Sequence, residues 1–248
     1  MSSLCVPSTG FPTTRSALID FSAQVLVDAR SGSTRRLDSL WFDSPVVLVF
    51  LRRLGCALCR VTALEFSEAR EQIEASGAAL VAISFEELGT GSDVDRGFEE
   101  GKFWQGPLYT VSPDVYESLF GRKGLFSGFY GLADVSKTKL AACTDRSVRG
   151  NYKGDGLLLG GQFIVNKGGD ILREKRQAFF GDDLTAEEAL DVLNRAVLDK
   201  QSTTPLPSSL QDTAAVVVEA PAEPPSSLED PKVDTTTREE EVEKKIIV

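Results

Sequence analysis

Short continuous apolar runs alternate with longer runs of helical spacing along the chain as far as Lys200. Val46–Phe50 and Ala78–Phe85 are continuous and apolar, which is typical of strands buried on both faces of a sheet. Between them, Val61–Ala75 spaces its apolar residues as an amphipathic helix does, and Ser76-Gly77 ends that helix. This order predicts a β-α-β unit, and such crossovers are almost always right-handed.

Further elements are predicted on both sides of this unit. Upstream lie a strand at Gln24–Asp28 and a short helix at Leu37–Phe42. Downstream, the pattern predicts a helix at Asp93–Phe103, a strand at Leu108–Val111 and a helix from Pro113 that is capped by Ser112. Within Gly121–Asn151 we expect helix fragments or a mobile cover. The pattern then predicts a strand at Gly161–Asn166 and an antiparallel strand at Ile171–Phe179. A β-α-β unit followed by a β-hairpin and a closing helix is the thioredoxin-like order. We therefore expect an α/β fold with a central mixed β-sheet flanked by helices.

The closing helix has its own start signal. Thr185 and Glu188 have the spacing of a capping box. The apolar face predicted for this helix consists of Ala189, Leu190, Leu193, Ala196 and Val197.

Composition divides the chain into three parts. Residues 1–19 are rich in Ser and Thr and predict a flexible N-terminal segment, and residues 20–199 predict the thioredoxin-like domain. Residues 200–248 are rich in Pro, Ser, Thr and acids, which predicts a disordered tail. The last residues of that tail, Lys245–Val248, could alternatively add a strand to a partner protein.

Charge and residue types exclude several functions. The net charge is −10, and because an acidic chain repels nucleic acid we expect no nucleic-acid partner. Most of this negative charge lies in the tail. No apolar run is long enough for a membrane span, and residues 1–19 do not have the layout of a secretory signal. We expect a cytoplasmic protein, with organelle targeting by residues 1–19 as the alternative. The chain has no histidine, which excludes His-based triads and His-ligated metals.

The candidate chemistry lies in Cys56-Ala57-Leu58-Cys59, between a predicted strand and a predicted helix. A helix N-terminus stabilises a thiolate, and so do the neighbouring arginines Arg52, Arg53 and Arg60. By position, Cys56 is the attacking thiol and Cys59, one helical turn later, resolves it. Of the arginines, Arg53 is predicted to tune the thiolate or bind an anionic substrate, or else to be an ordinary solvated side chain. No metal is expected, because zinc needs four ligands and few are available; structural zinc and two inert core cysteines are the alternatives.

Two other features are less specific. Cys143 follows Leu140-Ala141-Ala142, which favours an ordinary semi-buried cysteine, with a third redox role as the alternative. The glycine-rich run Gly154–Gly161 precedes a strand and not a helix, so it offers no helix N-terminus to a phosphate. In a thioredoxin-like fold this loop faces the two cysteines, and Gly160 and Gly161 would permit close approach of the backbone.

With these motifs, the chain resembles the peroxiredoxin-like 2 family, an AhpC/TSA-like group that includes prostamide/prostaglandin F synthase and selenoprotein U-type proteins. The resemblance covers Ser44–Leu198 and rests on four runs: Arg52–Arg60, Gly150–Gly156, Leu159–Val165 and Gln177–Asp182. Selenoprotein members place selenocysteine at the position of Cys56, which supports its role as the attacking residue. The chain departs from true peroxiredoxins at three positions. Val49 replaces their Pro, Arg53 replaces their Thr or Ser, and Gly160 replaces their Arg.

The resemblance implies a thiol-dependent oxidoreductase of antioxidant type with no bound cofactor. Its substrate would be a peroxide, a lipid endoperoxide resembling prostaglandin H2, or a disulfide. Thioredoxin supplied by NADPH, or a similar dithiol, would restore the cysteines. The alternative is a redox-switched protein-binding module with little turnover.

Overall fold

The computed structural model describes residues 17–90, 97–124 and 132–202. The chain divides into two units, Met1–Thr204 and Pro205–Val248, and every described residue belongs to the first. Residues 1–16 of the predicted flexible segment and residues 203–248 of the predicted tail lie outside the described residues.

The described residues form strands and helices in the predicted alternation. The strands are β1 (Val25–Asp28), β2 (Thr34–Arg36), β3 (Val46–Leu51), β4 (Ala79–Ser84), β5 (Leu108–Thr110), β6 (Gly161–Val165) and β7 (Ile171–Arg176). The helices are α1 (Ala17–Asp20), α2 (Ala57–Glu68), α3 (Arg70–Ala75), α4 (Pro113–Phe120), α5 (Leu132–Asp145) and α6 (Ala186–Ser202), with a 3₁₀ helix at Leu37–Trp41. The predicted helix from Val61 to Ala75 is thus two helices, α2 and α3, that meet at Ala69.

One mixed sheet runs through the described residues in the order β2-β1-β5-β4-β3-β6-β7. The three central strands β5, β4 and β3 are parallel, and every other neighbouring pair in the sheet is antiparallel. Strand β3 lies near the centre, and Val49 is in register with Ala82 of β4 and with Gln162 of β6. This confirms the central mixed sheet and the thioredoxin-like fold.

Helices cover both faces of the sheet. All six residues of β3 are buried, because each face carries its own apolar cluster. Val47, Val49 and Leu51 face a cluster with α2, α3 and α6, whereas Val46, Leu48 and Phe50 face one with α1, α4 and the 3₁₀ helix. A strand buried in this way reads as a continuous apolar run, as the sequence indicated.

Four further sequence predictions need correction. Residues Ala17–Asp20 are helical and Leu18 is fully buried, so the fold begins before residue 20. Within the predicted helix Asp93–Phe103, the described residues 97–103 form turns. The buried rings of Phe98 and Phe103 lie 5.9 Å apart, whereas positions five apart on a helix point about 140° away from each other.

The other corrections concern α5 and α6. The region Gly121–Asn151 contains a helix of 14 residues, α5, where only fragments were predicted. On α6, Ala189 and Leu193 are buried as predicted, but Val197 is 41% exposed. No helix among the described residues is both long and apolar enough to cross a membrane.

Candidate active site

Cys56 lies where β3 meets α2. The strand ends at Leu51, and Cys56 is the N-cap residue of α2 with an extended backbone. The short connection between them is fixed by two hydrogen bonds: the Leu54 amide donates to Oε2 of Glu86 at 2.9 Å, and the Cys56 amide donates to the Arg53 carbonyl at 3.3 Å. The predicted position of the thiol at a helix N-terminus is therefore observed.

The surroundings of the two cysteines shift their pKa values in opposite directions. Both are free and nearly buried, with exposures of 8% for Cys56 and 5% for Cys59. A hydrogen bond from the Cys59 thiol holds the pKa of Cys56 well below its ordinary value, and the charge of Arg52 and the amides of Leu58 and Cys59 add to this against the opposing effect of burial. The same hydrogen bond, together with burial, raises the pKa of Cys59 well above its ordinary value. These opposite shifts favour a thiolate at Cys56 and a protonated thiol at Cys59.

Arg52 is the arginine that contacts the thiolate. Its Nη2 donates to Sγ of Cys56 at 3.0 Å, and its Nη1 donates to the carbonyl of Gly156 at 2.8 Å. The guanidinium lies over the Phe180 ring, 4.2 Å from the ring centroid. These contacts fix a buried cation beside the sulfur, where it stabilises an anion far more than it would in water.

Arg53 and Arg60 are buried but have other partners, which corrects the preference for Arg53. Nη2 of Arg53 donates to the carbonyl of Asn151 at 2.6 Å. Arg60 donates from Nε to the Leu54 carbonyl at 2.7 Å and from Nη1 to the Arg149 carbonyl at 2.8 Å. Both side chains therefore bind backbone around the site. Sequence alone could not rank the three arginines, because the ranking depends on the direction of each side chain after the strand ends.

The segment Arg149–Asn151 packs directly on the cysteine loop. The Asn151 amide donates to the Gly55 carbonyl at 2.7 Å. A Cβ atom at Gly150 would lie 2.8 Å from that carbonyl oxygen and would also meet the amide of Ala57. Only glycine permits this approach, so the run that the sequence marked at Gly150–Gly156 contains a packing constraint at the site.

Gly160 and Gly161 differ in what they contact. A Cβ atom at Gly160 would lie 2.5 Å from the Phe50 carbonyl oxygen and 3.5 Å from the Arg52 amide, so this glycine packs against the end of β3. At Gly161 a Cβ atom would meet the Lys175 carbonyl on β7 and would lie 3.0 Å from the Phe120 ring. Gly160 thus belongs to the site, whereas Gly161 serves the pairing of β6 with β7.

A buried polar network next to the cysteines was not predicted. The Asp183 carboxylate accepts hydrogen bonds from Lys139 Nζ (2.6 Å), Thr62 Oγ1 (2.9 Å), Gln162 Nε2 (2.9 Å) and Gln177 Nε2 (2.6 Å). These donors keep the pKa of Asp183 below its ordinary value despite burial. The charge of Asp183 also contributes to the raised pKa of Cys59. A signal was available, since Gln162 is a polar residue directly before the apolar run Phe163-Ile164-Val165 of the predicted strand Gly161–Asn166.

The network also makes a hydrogen bond to the glycine-rich run Gly154–Gly161. Oε1 of Gln177 accepts a hydrogen bond from the Gly160 amide at 2.8 Å. Asp183 therefore connects α2, α5 and β6 with the loop that carries Gly160, and it fixes the surroundings of the dithiol.

Cys143 lies on α5 and is buried, close to the semi-buried position predicted. It borders a shallow cavity of about 320 Å³ together with Val148 and Arg149. Burial, followed by the charge of Cys56, raises the pKa of its thiol, which disfavours the thiolate. No group of three or more His, Cys, Asp or Glu side chains among the described residues is arranged to hold a metal ion.

The fold and this site define an oxidoreductase of the peroxiredoxin-like class. A family model described as AhpC/TSA antioxidant enzyme matches residues 65–178, a range that begins after Cys59. The chain is 38% identical over 178 residues to a prostamide/prostaglandin F synthase from Salmo salar, covering 67% of this chain and 84% of that protein. It is 29% identical over 203 residues to peroxiredoxin-like 2A from Danio rerio, covering 79% and 92%.

Solved structures show similarity in fold at low sequence identity. The crystal structure of peroxidoxin BcpB from Mycobacterium tuberculosis aligns with a TM-score of 0.45 and 22% identity, covering 69% of this chain and 91% of that chain. On the sequence comparisons, the chain belongs to the peroxiredoxin-like 2 family of AhpC/TSA antioxidant enzymes.

Proposed function

We propose that this protein is a thiol-dependent oxidoreductase in which Cys56 attacks a peroxide, a lipid endoperoxide or a disulfide and Cys59 resolves the product. The observation that carries the proposal is the arrangement of Arg52, Cys56 and Cys59. A buried guanidinium 3.0 Å from Sγ and a thiol donor one turn later favour a thiolate at Cys56 and a proton at Cys59. Attack and resolution require this division of roles.

The redox chemistry balances within this pair. The Cys56 thiolate attacks one oxygen of an O–O bond, forming an S–O bond while the other oxygen leaves as alkoxide and takes up a proton. Cys59 then loses its proton and attacks the sulfur of Cys56, which forms the disulfide and releases the second oxygen as alcohol or water. The substrate gains two electrons and two protons, and the dithiol loses them.

An external dithiol completes the cycle. Thioredoxin, kept reduced by NADPH through its reductase, is the reductant that we propose, because a disulfide between Cys56 and Cys59 can be opened by thiolate exchange. No bound cofactor is needed for these steps.

A lipid endoperoxide is the substrate that we favour for the O–O chemistry. Several relatives are named prostamide/prostaglandin F synthase, and one of them covers two thirds of this chain at 38% identity. Reductive opening of an endoperoxide gives a diol, which is the balanced product of the two steps above.

The proposal is tested by steady-state NADPH consumption with thioredoxin and its reductase. Hydrogen peroxide, a lipid endoperoxide and a protein disulfide are compared as oxidants, using the full chain. We expect multiple turnovers with at least one oxidant, loss of turnover in Cys56→Ser, and retention in Cys143→Ser as the matched control.

Two outcomes contradict the proposal. Full turnover by Cys56→Ser with all three oxidants would remove Cys56 from the reaction. Stoichiometric oxidation of the wild-type protein without multiple turnovers would favour the redox-switched binding module.

A further inference from the structure

The ring of Phe180 packs on the cation that binds the reactive sulfur. The guanidinium carbon of Arg52 lies over this ring, 4.2 Å from its centroid. Phe180 is 3% exposed and Arg52 is 6% exposed, so the contact is shielded from water. The attraction between a cation and the face of an aromatic ring is strongest in such desolvated places.

Arg52 makes two hydrogen bonds besides the ring contact. Its Nη2 donates to Sγ of Cys56 at 3.0 Å, and its Nη1 donates to the Gly156 carbonyl at 2.8 Å. Of these three partners, only Cys56 can be an anion. An arginine side chain has many rotamers in open surroundings, and the ring over the guanidinium restricts it to the one position in which it reaches the sulfur.

The turn that carries Phe180 is itself fixed by hydrogen bonds. It consists of residues 177–183, between β7 and α6. The Gln177 amide donates to the Gly160 carbonyl at 2.9 Å, which attaches the start of the turn to the site. Nε2 of Gln177 donates to Oδ1 of Asp183 at 2.6 Å, which ties the two ends of the turn together. Phe180, in the middle of this closed turn, therefore has a defined position.

A role in core packing alone would have a different consequence. Phe180 belongs to the apolar cluster that includes Phe50 and Leu159, and loss of its ring would cost stability there. Its place over the Arg52 guanidinium adds a second effect, because loss of the ring also changes the surroundings of the Cys56 sulfur. The two roles are separable by a measurement on the sulfur.

We propose that Phe180 is a positioning residue for the thiol chemistry, whose ring holds the Arg52 guanidinium against Sγ of Cys56 before the oxidant arrives. This inference deepens the proposed function and rests on it. Phe180 acts through Arg52 and does not itself take part in bond making or breaking. Removal of the ring should therefore affect Cys56 only while Arg52 is present.

The test is a double-variant cycle of Phe180→Leu and Arg52→Met in the full chain. Alkylation of Cys56 by iodoacetamide is measured against pH, with peptide mass spectrometry to separate Cys56 from the other cysteines. We expect the midpoint of the pH profile to rise by about half a unit in Phe180→Leu, as a desolvated cation–π contact predicts. In the Arg52→Met background, Phe180→Leu should cause no further rise.

Phe103→Leu is the matched control. Phe103 is 5% exposed, and its ring lies 5.0 Å from the guanidinium carbon of Arg60, which donates to backbone carbonyls and not to the sulfur. This variant loses a comparable buried ring and should keep the wild-type midpoint. Urea titration checks that each variant is folded.

Two further variants at the same position keep the test independent of stability. Phe180→Tyr retains the ring and should keep the wild-type midpoint. Phe180→Met fills more of the space than leucine without a ring and should show the same rise as Phe180→Leu.

A wild-type midpoint in Phe180→Leu and Phe180→Met would overturn the inference, and so would an equal rise with and without Arg52. Neither result would remove Cys56 from the reaction, so the proposed function would stand. Absence of wild-type turnover in the NADPH assay, with the coupling of Phe180 to Arg52 intact, would contradict the proposed function and support the positioning of Arg52 by Phe180.

Discussion

Nη2 of Arg52 donates a hydrogen bond to Sγ of Cys56, four residues later in the chain, at 3.0 Å. The guanidinium is buried, and its other nitrogen is bound to the Gly156 carbonyl. The cation is therefore positioned before any substrate arrives, and it stabilises the thiolate without reorganisation. Arg53, the next residue, binds Asn151.

Removing Arg52 should weaken the nucleophile. In Arg52→Met we expect the pKa of Cys56 to rise and alkylation by iodoacetamide at pH 7 to slow about tenfold, which corresponds to ~1.4 kcal/mol. Arg53→Met is the adjacent control and should slow alkylation less. A larger decrease in the alkylation rate for Arg53→Met than for Arg52→Met would show that Arg53, and not Arg52, lowers the pKa of Cys56.

Gly160→Ala should destabilise the fold at the site. The new Cβ would lie 2.5 Å from the Phe50 carbonyl oxygen, which is backbone and cannot move alone. We expect a loss of about 1–3 kcal/mol in the free energy of unfolding, measured by urea titration. Gly156→Ala is the control, because its Cβ would make ordinary contact with Arg53 at 3.5 Å. Equal stability of the two variants would show that β3 and the Gly160 loop are not in close contact.

Asp183→Asn should leave the buried ammonium of Lys139 without its counter-charge. The two groups lie 2.6 Å apart, with side-chain exposures of 12% for Lys139 and 4% for Asp183. We expect a loss of about 3 kcal/mol in unfolding free energy at pH 7. The double variant Asp183→Asn, Lys139→Met should recover part of it, and strict additivity of the single changes would contradict a coupled pair.

The pKa of Asp183 gives the sign of the pH dependence. Because its pKa is lowered in the folded state, its contribution to stability is present above the ordinary carboxyl pKa of about 3.9 and is lost as the pH falls through the lowered folded value. Wild-type stability should therefore fall more steeply below pH ~4 than that of Asp183→Asn. Parallel pH profiles from thermal melts would show that Asp183 does not titrate in this way.

Tyr116→Phe should make the protein more stable. The hydroxyl is buried and has no hydrogen-bond partner among the described residues. Its removal therefore breaks no hydrogen bond and avoids a desolvation cost of about 1 kcal/mol. Urea titration of Tyr116→Phe beside Tyr109→Phe measures this. Destabilisation of Tyr116→Phe would mean that the hydroxyl has a partner in the resting protein.

The patterns that predicted the fold were local ones. Val46–Phe50 is a continuous apolar run because both its faces are covered, and the capping box at Thr185 is formed as the spacing indicated. The predicted helix Asp93–Phe103 was wrong over its described residues 97–103, where the chain forms turns and the Phe98 and Phe103 rings lie 5.9 Å apart.

The placement of the two cysteines was predictable from the sequence, whereas the contacts around them were not. Cys56 and Cys59 follow from spacing alone, since a strand, two cysteines three apart and a helix fix their placement. The choice of Arg52 over Arg53 depends on side-chain direction after β3. The hydrogen bonds of Asp183 join elements far apart in the chain, and no short motif marks this residue.

The central claim is that Cys56 and Cys59 are the redox pair, and peptide mapping of the oxidised protein tests it most directly. The reduced full chain is treated with one equivalent of an alkyl hydroperoxide or a lipid endoperoxide, and its cysteines are mapped by mass spectrometry without reductant. We expect a disulfide between Cys56 and Cys59, with sulfenic acid retained at Cys56 in Cys59→Ser and Cys143 still a thiol. Oxidant consumption that leaves Cys56 as a thiol, or that oxidises Cys143 first, would contradict the claim.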